Sequence, residues 1–181
     1  MKATETELKG CFIFEPQVYE DSRGYFFEPF NHNRFCKAIG KRVDFVQDNQ
    51  SFSKKGVIRA LHYQVGDHAQ AKLVRVLLGR VLDVAVDLRE GSGTFGQHVA
   101  VELSSENRKQ LFIPKGFAHG FAVLSDSAEF FYKCDNYYNV ESEGGIIYND
   151  RNLDINWKLS ENQIIMSDKD ATLPMLKDAR L

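Results

Sequence analysis

Hydrophobic and polar residues alternate with a period of two over much of the chain. In residues 81–88, leucine or valine occupies every second position from Leu82 to Leu88, and the positions between them include Asp83 and Asp87. Because successive side chains of a strand point to opposite faces, this pattern predicts a β-strand with one face in a core.

Similar runs between turn signals predict further strands at 72–78, 98–103, 111–113, 120–124 and 129–134. Helical spacing is limited to residues 33–39, which end at Gly40, and to a short helix in the tail from Asn162 onward. Many short strands with little helix predict an all-β barrel or sandwich. A jelly roll is favoured over an immunoglobulin sandwich because charged residues recur on inward faces, around a central space.

Length and composition narrow the class of protein. The 181 residues are enough for a single domain spanning 1–181, and 23 Lys and Arg against 25 Asp and Glu give a net charge of -2. A protein with so little net charge has no large excess of positive charge with which to bind nucleic acid or an anionic membrane. No apolar run approaches the roughly 20 residues of a membrane span, and residues 1–7 lack the apolar block of a signal peptide. We therefore expect a cytoplasmic protein without nucleic-acid or membrane partners.

Charged side chains stand inside two segments that otherwise resemble buried strands. Residues 59–64 contain Arg59 and His62, and residues 70–75 contain Lys72. Lys and Arg are rarely fully buried without a partner, so these segments predict a lined cavity that binds an anion and moves a proton. Taken alone, a histidine in a strand such as His62 is more often a hydrogen-bonded structural residue than a base, and Lys72 could be a solvent-facing strand residue.

Residues 114–119 match the Pro-x-Gly-x-x-His element of cupins, in which a tight turn delivers a histidine into the barrel. Metal-binding cupins add a His-x-His pair and a glutamate, because a transition metal needs three or four converging ligands. Here residues 62–64 read His-Tyr-Gln, so one histidine ligand is missing. We expect neither a metal nor an organic cofactor.

Six blocks of sequence, in the same order, resemble the dTDP-4-dehydrorhamnose 3,5-epimerase family. The blocks are residues 21–28, 46–49, 59–64, 114–121, 128–133 and 167–170. The similarity runs over nearly the whole chain and implies a cupin-type jelly-roll barrel with a few short peripheral helices. The family inverts two carbons beside the ketone of dTDP-4-dehydro-6-deoxyglucose, without a cofactor, on the way to dTDP-L-rhamnose.

The resemblance also assigns the reacting groups. A hydrogen beside a ketone is removable if a base lies on one face and the developing charge on oxygen is stabilised. His62 resembles the base, Asp170 the carboxylate that orients it, and Lys72 the cation beside the enolate oxygen. Tyr132 resembles the acid that returns a proton from the other side.

A second set of positions is implied to bind the dTDP-linked sugar. They are Arg23, Phe26, Glu28, Gln47, Asp48, Asn49, Arg59, His119, Tyr138, Glu143 and Lys169. Guanidinium groups suit a diphosphate, so Arg23 and Arg59 are its expected clamps. Tyr138 resembles the ring on which thymine stacks.

The family further implies a homodimer whose initial strands cross into the neighbouring barrel and cover an open sheet edge. Arg23, Phe26 and Glu28 would then serve the partner's cavity. After Tyr138 the family usually continues with proline, whereas this chain has Asn139, so we expect a less rigid loop there.

Three alternatives to the double epimerase remain open. One is a relative that acts at a single carbon of a similar dTDP-ketosugar. Another is a metal-dependent cupin enzyme, which Tyr63 and Gln64 disfavour by replacing a ligand. The last is a silent binding module, which the joint presence of base, carboxylate, lysine and tyrosine disfavours.

Overall fold

The computed structural model describes residues 1–181 and is built mainly from β-strands. The strands are β1 (Lys2–Glu5), β2 (Phe12–Glu15), β3 (Val18–Asp21), β4 (Gly24–Phe27), β5 (Gln47–Lys54), β6 (Ile58–Gln64), β7 (Lys72–Leu78), β8 (Arg80–Asp87), β9 (His98–Ser104), β10 (Gln110–Ile113), β11 (Phe117–Val123), β12 (Ser127–Cys134) and β13 (Glu143–Gly145). The helices are α1 (His32–Ile39) and α2 (Asp168–Ala171), with 3₁₀ turns at Gly66–His68, Val140–Ser142, Glu161–Gln163 and Leu176–Asp178. No helix is both long and apolar enough to cross a membrane.

Two antiparallel sheets form a sandwich. One has six strands in the order β1-β2-β10-β7-β12-β5, and the other has five in the order β13-β6-β11-β8-β9. A core cluster joins their inner faces, where Val74 and Phe130 of the first sheet pack with Ala85 and Phe121 of the second. The expected all-β jelly-roll class with few, short helices is therefore confirmed. Strands β3 and β4 form a separate hairpin.

Strand β8 is buried on both faces, whereas its alternating pattern predicted one buried face. Every residue from Val81 to Asp87 is buried. Leu82 and Val84 belong to a second core cluster on the outer face of the five-stranded sheet, which Leu153 and Trp157 of the C-terminal segment cover. The alternation predicted the strand and its apolar face correctly, but the face that carries Asp83 and Asp87 is buried as well, because it lies toward the six-stranded sheet.

Helix α1 confirms the helix predicted at 33–39. The side chain of Asn31 accepts a hydrogen bond from the backbone N–H of Arg34 at 3.1 Å, and Gly40 ends the helix with a φ of 72°. A left-handed φ suits glycine because it has no Cβ. Phe35 is buried, and its ring lies 5.3 Å from that of Phe14, so the helix packs on the six-stranded sheet.

Candidate active site

A cavity of about 370 Å³ opens between the two sheets. The six-stranded sheet contributes Ser51, Lys72, Phe130 and Tyr132 to its wall, and the five-stranded sheet contributes Arg59, His62, Tyr63, Gln64, His119, Phe121 and Glu143. Connecting segments add Gln70, Tyr138 and Ser167, and helix α2 adds Lys169 and Asp170. All four residues predicted to react therefore line one cavity, together with five of the predicted binding residues.

Strand register places Lys72 and Tyr132 side by side on the inner face of the six-stranded sheet. Tyr132 pairs with Val74 on one side and with Asn49 on the other. The Nζ atom of Lys72 lies 5.9 Å from the centre of the Tyr132 ring. Burial lowers the pKa of Lys72, although electrostatic interactions with Cys134, Asp83 and Glu143 act to raise it. Burial also raises the pKa of Tyr132, so the phenol keeps its proton.

His62 lies between two carboxylates. Its Nε2 atom is 3.2 Å from Oδ1 of Asp170, and its Nδ1 atom is 3.9 Å from Oε1 of Glu143. Ser167 caps α2 by accepting a hydrogen bond from the backbone N–H of Asp170 at 3.1 Å, which fixes that residue beside the imidazole. Burial acts to raise the pKa of Asp170, but contact with His62 and the bond to Ser167 outweigh it, so the pKa is lowered.

Glu143 joins the imidazole to two other predicted binding residues. Its Oε2 atom accepts hydrogen bonds from the hydroxyl of Tyr138 at 2.9 Å and from Nζ of Lys169 at 2.7 Å. Burial acts to raise the pKa of Glu143, but these two bonds outweigh it and the pKa is lowered. The carboxylate therefore stays ionised beside His62 at neutral pH.

His119 is held in place by a buried carboxylate, Asp83, for which the sequence pattern alone predicts no role. Its Nε2 atom lies 2.9 Å from Oδ2 of Asp83, and its ring stacks on Phe130 with centroids 5.9 Å apart. The signal was present, since Asp83 occupies a charged position on a face of β8 that also carries Ala85. A carboxylate buried in a strand needs a partner, and here the partner lines the cavity.

Three predicted binding residues belong to β5. Gln47 and Asn49 share the face of the strand that carries Ser51, which lines the cavity, and Oε1 of Gln47 accepts a hydrogen bond from the N–H of Tyr138 at 3.1 Å. Asp48 points to the opposite face, where Nζ of Lys133 lies 2.8 Å from it. Within one chain, Asp48 therefore does not reach the cavity.

Arg23, Phe26 and Glu28 also lie away from the cavity wall. Arg23 is in the turn of the β3–β4 hairpin and donates to Asp21 at 2.6 Å, and Phe26 is 70% exposed. Glu28 follows the hairpin and forms an ion pair with Arg34 at 3.2 Å. Arg59, by contrast, lines the cavity and donates from Nε to the hydroxyl of Ser53 at 3.1 Å.

Some polar residues near the cavity have a structural role that the sequence pattern does not reveal. Asn139 is an example: its Oδ1 atom accepts bonds from the N–H groups of Glu141 and Ser142, and its own N–H donates to Oε1 of Gln64 at 2.6 Å. These bonds fasten the loop that the absence of proline predicted to be less rigid. Gln64, which stands where some cupins have a metal ligand, serves here as an anchor for that loop.

The donor sets around the cavity do not form a metal-binding group. Nowhere in residues 1–181 do three or more His, Cys, Asp or Glu side chains converge as a metal ion requires.

The hydroxyl of Tyr63 donates a hydrogen bond to the carbonyl of Arg180 at 2.7 Å. Cys11, Cys36 and Cys134 are free thiols, and two of them are buried in the core.

Comparison with known proteins places these features in a family. Residues 5–178 match the family model of dTDP-4-dehydrorhamnose 3,5-epimerase. The enzyme of that name from Salmonella typhimurium is 52% identical over 181 residues, which are 100% of this chain and 98% of that protein. The crystal structure of the Elizabethkingia anophelis enzyme has a TM-score of 0.95 and 56% identity, covering 98% of this chain and 97% of that one.

A second solved structure carries a ligand. The 3,5-epimerase of Legionella pneumophila, crystallised with dTDP-4-keto-L-rhamnose, has a TM-score of 0.94 and 51% identity, covering 98% of this chain and 93% of that one. Fold, sequence and the matched length agree along essentially the whole chain. The chain belongs to the dTDP-4-dehydrorhamnose 3,5-epimerase family.

Proposed function

We propose that this protein epimerises dTDP-4-dehydro-6-deoxyglucose at C3 and C5 and so forms dTDP-4-dehydro-L-rhamnose in dTDP-L-rhamnose biosynthesis. The observation that carries the proposal is the placement of His62 and Tyr132. They line one cavity from opposing sheets, and an ionised carboxylate, Asp170, lies 3.2 Å from the imidazole. Inversion at carbon requires an acceptor and a donor of protons on opposite faces of the substrate, and this pair supplies both.

His62 acts as the base. It takes the hydrogen at C3 or C5 as a proton, and the electron pair of the broken C–H bond moves into an enolate with its charge on the C4 oxygen. Asp170 orients the imidazole and stabilises the imidazolium that forms, as carboxylates do in other histidine dyads. Glu143 adds a second negative charge, 3.9 Å from the other ring nitrogen.

Lys72 and Tyr132 complete the step. The ammonium of Lys72 stabilises the enolate oxygen, and such charge stabilisation is stronger beside buried groups than in water. Tyr132 then donates its phenolic proton to the opposite face of the carbon. The phenol is a weak acid with a pKa raised further by burial, but an enolate is basic enough to take its proton.

The nucleotide half of the substrate is held by the remaining wall residues. Arg59 binds the diphosphate through its guanidinium, and His119 and Lys169 donate near the sugar. Tyr138 is 54% exposed beside the cavity, which leaves its ring free to stack on thymine. The side chains of Gln47 and Asn49 contact polar groups of the base or the sugar.

We also propose a homodimer in which the β3–β4 hairpin reaches the partner's cavity. The hairpin exposes Tyr19, Tyr25 and Phe26 by 57%, 59% and 70%, which is unusual for aromatic side chains without a binding partner. Strand β5 forms an edge of the six-stranded sheet and exposes Phe52 by 56%. A second copy docked along this edge would cover both features and bring Arg23 to a substrate.

Residues 1–181 are proposed to act as a single domain, because both sheets contribute to one central core cluster. A cytoplasmic location is proposed for the same chain. Three cysteines without a disulfide suit a reducing compartment.

The proposal is tested by incubating the protein with dTDP-4-dehydro-6-deoxyglucose in heavy water and counting deuterium at the two carbons beside the ketone. A double epimerase incorporates deuterium at both carbons. Incorporation at one carbon alone would identify a single-carbon epimerase, and incorporation at neither would identify a binding module. A metal-dependent enzyme would lose its activity on treatment with a chelator.

A further inference from the structure

Asp83 and Asp87 are two fully buried carboxylates on the same face of β8, and Asp87 has the partners of a structural residue. It accepts hydrogen bonds from Arg89, Ser92 and Thr94 at distances between 2.6 and 3.0 Å. Burial acts to raise its pKa, but the bonds from these three residues outweigh burial and lower the pKa. Both oxygens of Asp87 are therefore satisfied within the chain.

Asp83 has one partner. Its side chain is 0% exposed, its Oδ2 atom lies 2.9 Å from Nε2 of His119, and its Oδ1 atom has no hydrogen-bond partner. Buried polar atoms are rarely left without a partner, and an exception in a native fold calls for an explanation beyond packing. The single contact of this buried carboxylate is a residue that lines the cavity, which suggests that Asp83 supports the chemistry of the cavity.

The geometry fixes the His119 ring in one orientation. Ala85 is directly opposite His119 in the β8–β11 register, so Asp83, two residues earlier, is its diagonal neighbour on the same face. Phe130 stacks on the ring at an angle of 23°. With Nε2 bound to Asp83, Nδ1 is the ring nitrogen left for the cavity.

The charge of Asp83 also acts on the neighbouring cation. Burial lowers the pKa of Lys72, and Asp83 is one of the groups that oppose this effect. His119 and Lys72 line the same cavity from opposite sheets. Asp83 therefore contacts one group of the cavity wall, His119, and acts electrostatically on a second, Lys72, from the opposite sheet.

We propose that Asp83 is a positioning residue for the epimerisation. It acts through His119, whose ring it fixes and whose imidazolium form it stabilises, so that Nδ1–H can donate to the C4 oxygen as negative charge develops there. The inference rests on the proposed function and extends it to a residue that does not touch the substrate.

The test compares Asp83→Asn, His119→Asn, the double variant and Asp87→Asn as the matched control. Asp83→Asn is expected to lower kcat by about 10–100-fold with little change in KM, as supporting residues behind an active group usually do. The double variant should be no slower than His119→Asn alone, because residues that act as a unit are not additive. Asp87→Asn should lower the melting temperature and leave kcat per folded molecule unchanged.

Two kinetic results would overturn the inference: a folded Asp83→Asn protein with the kcat of wild type, or losses that multiply in the double variant. A measurement on the wild-type protein does not depend on how the variants fold. Long-range ¹H–¹⁵N NMR should show His119 protonated at both ring nitrogens, and an unprotonated Nε2 or Nδ1 would also refute the proposal. If wild type exchanges no deuterium, the proposed function fails, and the NMR result still decides whether Asp83 holds His119 in this state.

Discussion

His62 and Tyr132 belong to different sheets and line the same cavity, one on β6 and the other on β12. Stacked sheets lie about 10 Å apart, which leaves space for a sugar ring between side chains from the two inner faces. A planar enolate held there would offer one face to the imidazole and the other to the phenol. This arrangement underlies the predictions on exchange and product formation.

Replacing His62 by Asn should abolish deuterium exchange at both carbons, because the amide cannot accept the proton. A loss of about 10²–10⁴-fold or more is expected, the usual contribution of a general base. Exchange is measured by NMR or mass spectrometry of the recovered sugar nucleotide. His98→Asn on β9, away from the cavity, is the matched control, and appreciable residual exchange in His62→Asn would remove His62 as the base.

Replacing Tyr132 by Phe should slow product formation more than the first exchange of hydrogen for deuterium. The variant keeps the ring that packs beside Lys72 and loses only the proton donor for the opposite face. Both rates are read from one time course in heavy water. Equal losses of the two rates would contradict the assignment of Tyr132 as the donor.

Replacing Lys72 by Met should remove activity and raise the free energy of unfolding at pH 7. Burial lowers the pKa of Lys72, so the protonated side chain costs folding free energy at every pH below that lowered value. The advantage of the variant should shrink as pH rises toward about 10.4, where the unfolded lysine also loses its proton. Each kcal/mol of gain would appear as about 2–4 °C in melting temperature.

The control for this prediction is Lys133→Met on the neighbouring strand β12. Lys133 pairs with Asp48 at 2.8 Å on the opposite face, where a partly exposed ion pair contributes about 0–1 kcal/mol. That variant should be as stable as wild type or slightly less stable. A Lys72→Met protein that is less stable than wild type at pH 7 would contradict the effect attributed to burial.

Subunits carrying different substitutions test whether the hairpin crosses to a partner. Mixing equal amounts of His62→Asn and Arg23→Ala subunits should restore activity to about a quarter of wild type, because half of the dimers are then mixed and one of the two cavities in each has both native residues. His62→Asn mixed with Lys72→Met is the control, and it should stay inactive, since both residues line the cavity of their own chain. Activity is assayed after dissociating and reassociating the two proteins.

A mixed dimer of His62→Asn and Arg23→Ala that stays inactive would show that Arg23 serves its own cavity, provided that Arg23→Ala alone is impaired. Sedimentation or light scattering measures the assembly separately. A protein that is monomeric at assay concentration, yet fully active, would contradict the proposed dimer.

The fold could be predicted from the sequence where hydrophobic and polar side chains alternate clearly. Strand β7 has the bounds that its pattern predicted, and α1 begins one residue before the predicted helix. Strand β5 was missed because its sequence, Gln47–Lys54, is almost entirely polar. A polar edge strand has no apolar face to reveal it, and its pairing with β12 comes from residues far along the chain.

Part of the candidate site could also be predicted from the sequence. His62 and Lys72 stood out as polar residues within apolar strands, and the family resemblance extended the set to Asp170 and Tyr132. Asp83 did not stand out, because its partner is 36 residues away, on another strand. Local sequence shows that a strand carries a charged residue, but only the sheet register shows that the residue is buried and which side chain it contacts.

The division of the cavity between two sheets links catalysis to the integrity of the whole sandwich. Neither sheet alone carries both the proton acceptor and the proton donor. Any opening that separates the two sheets should therefore stop turnover before most backbone hydrogen bonds are lost. Loss of turnover in mild denaturant would therefore report the first loosening of the core rather than its final collapse.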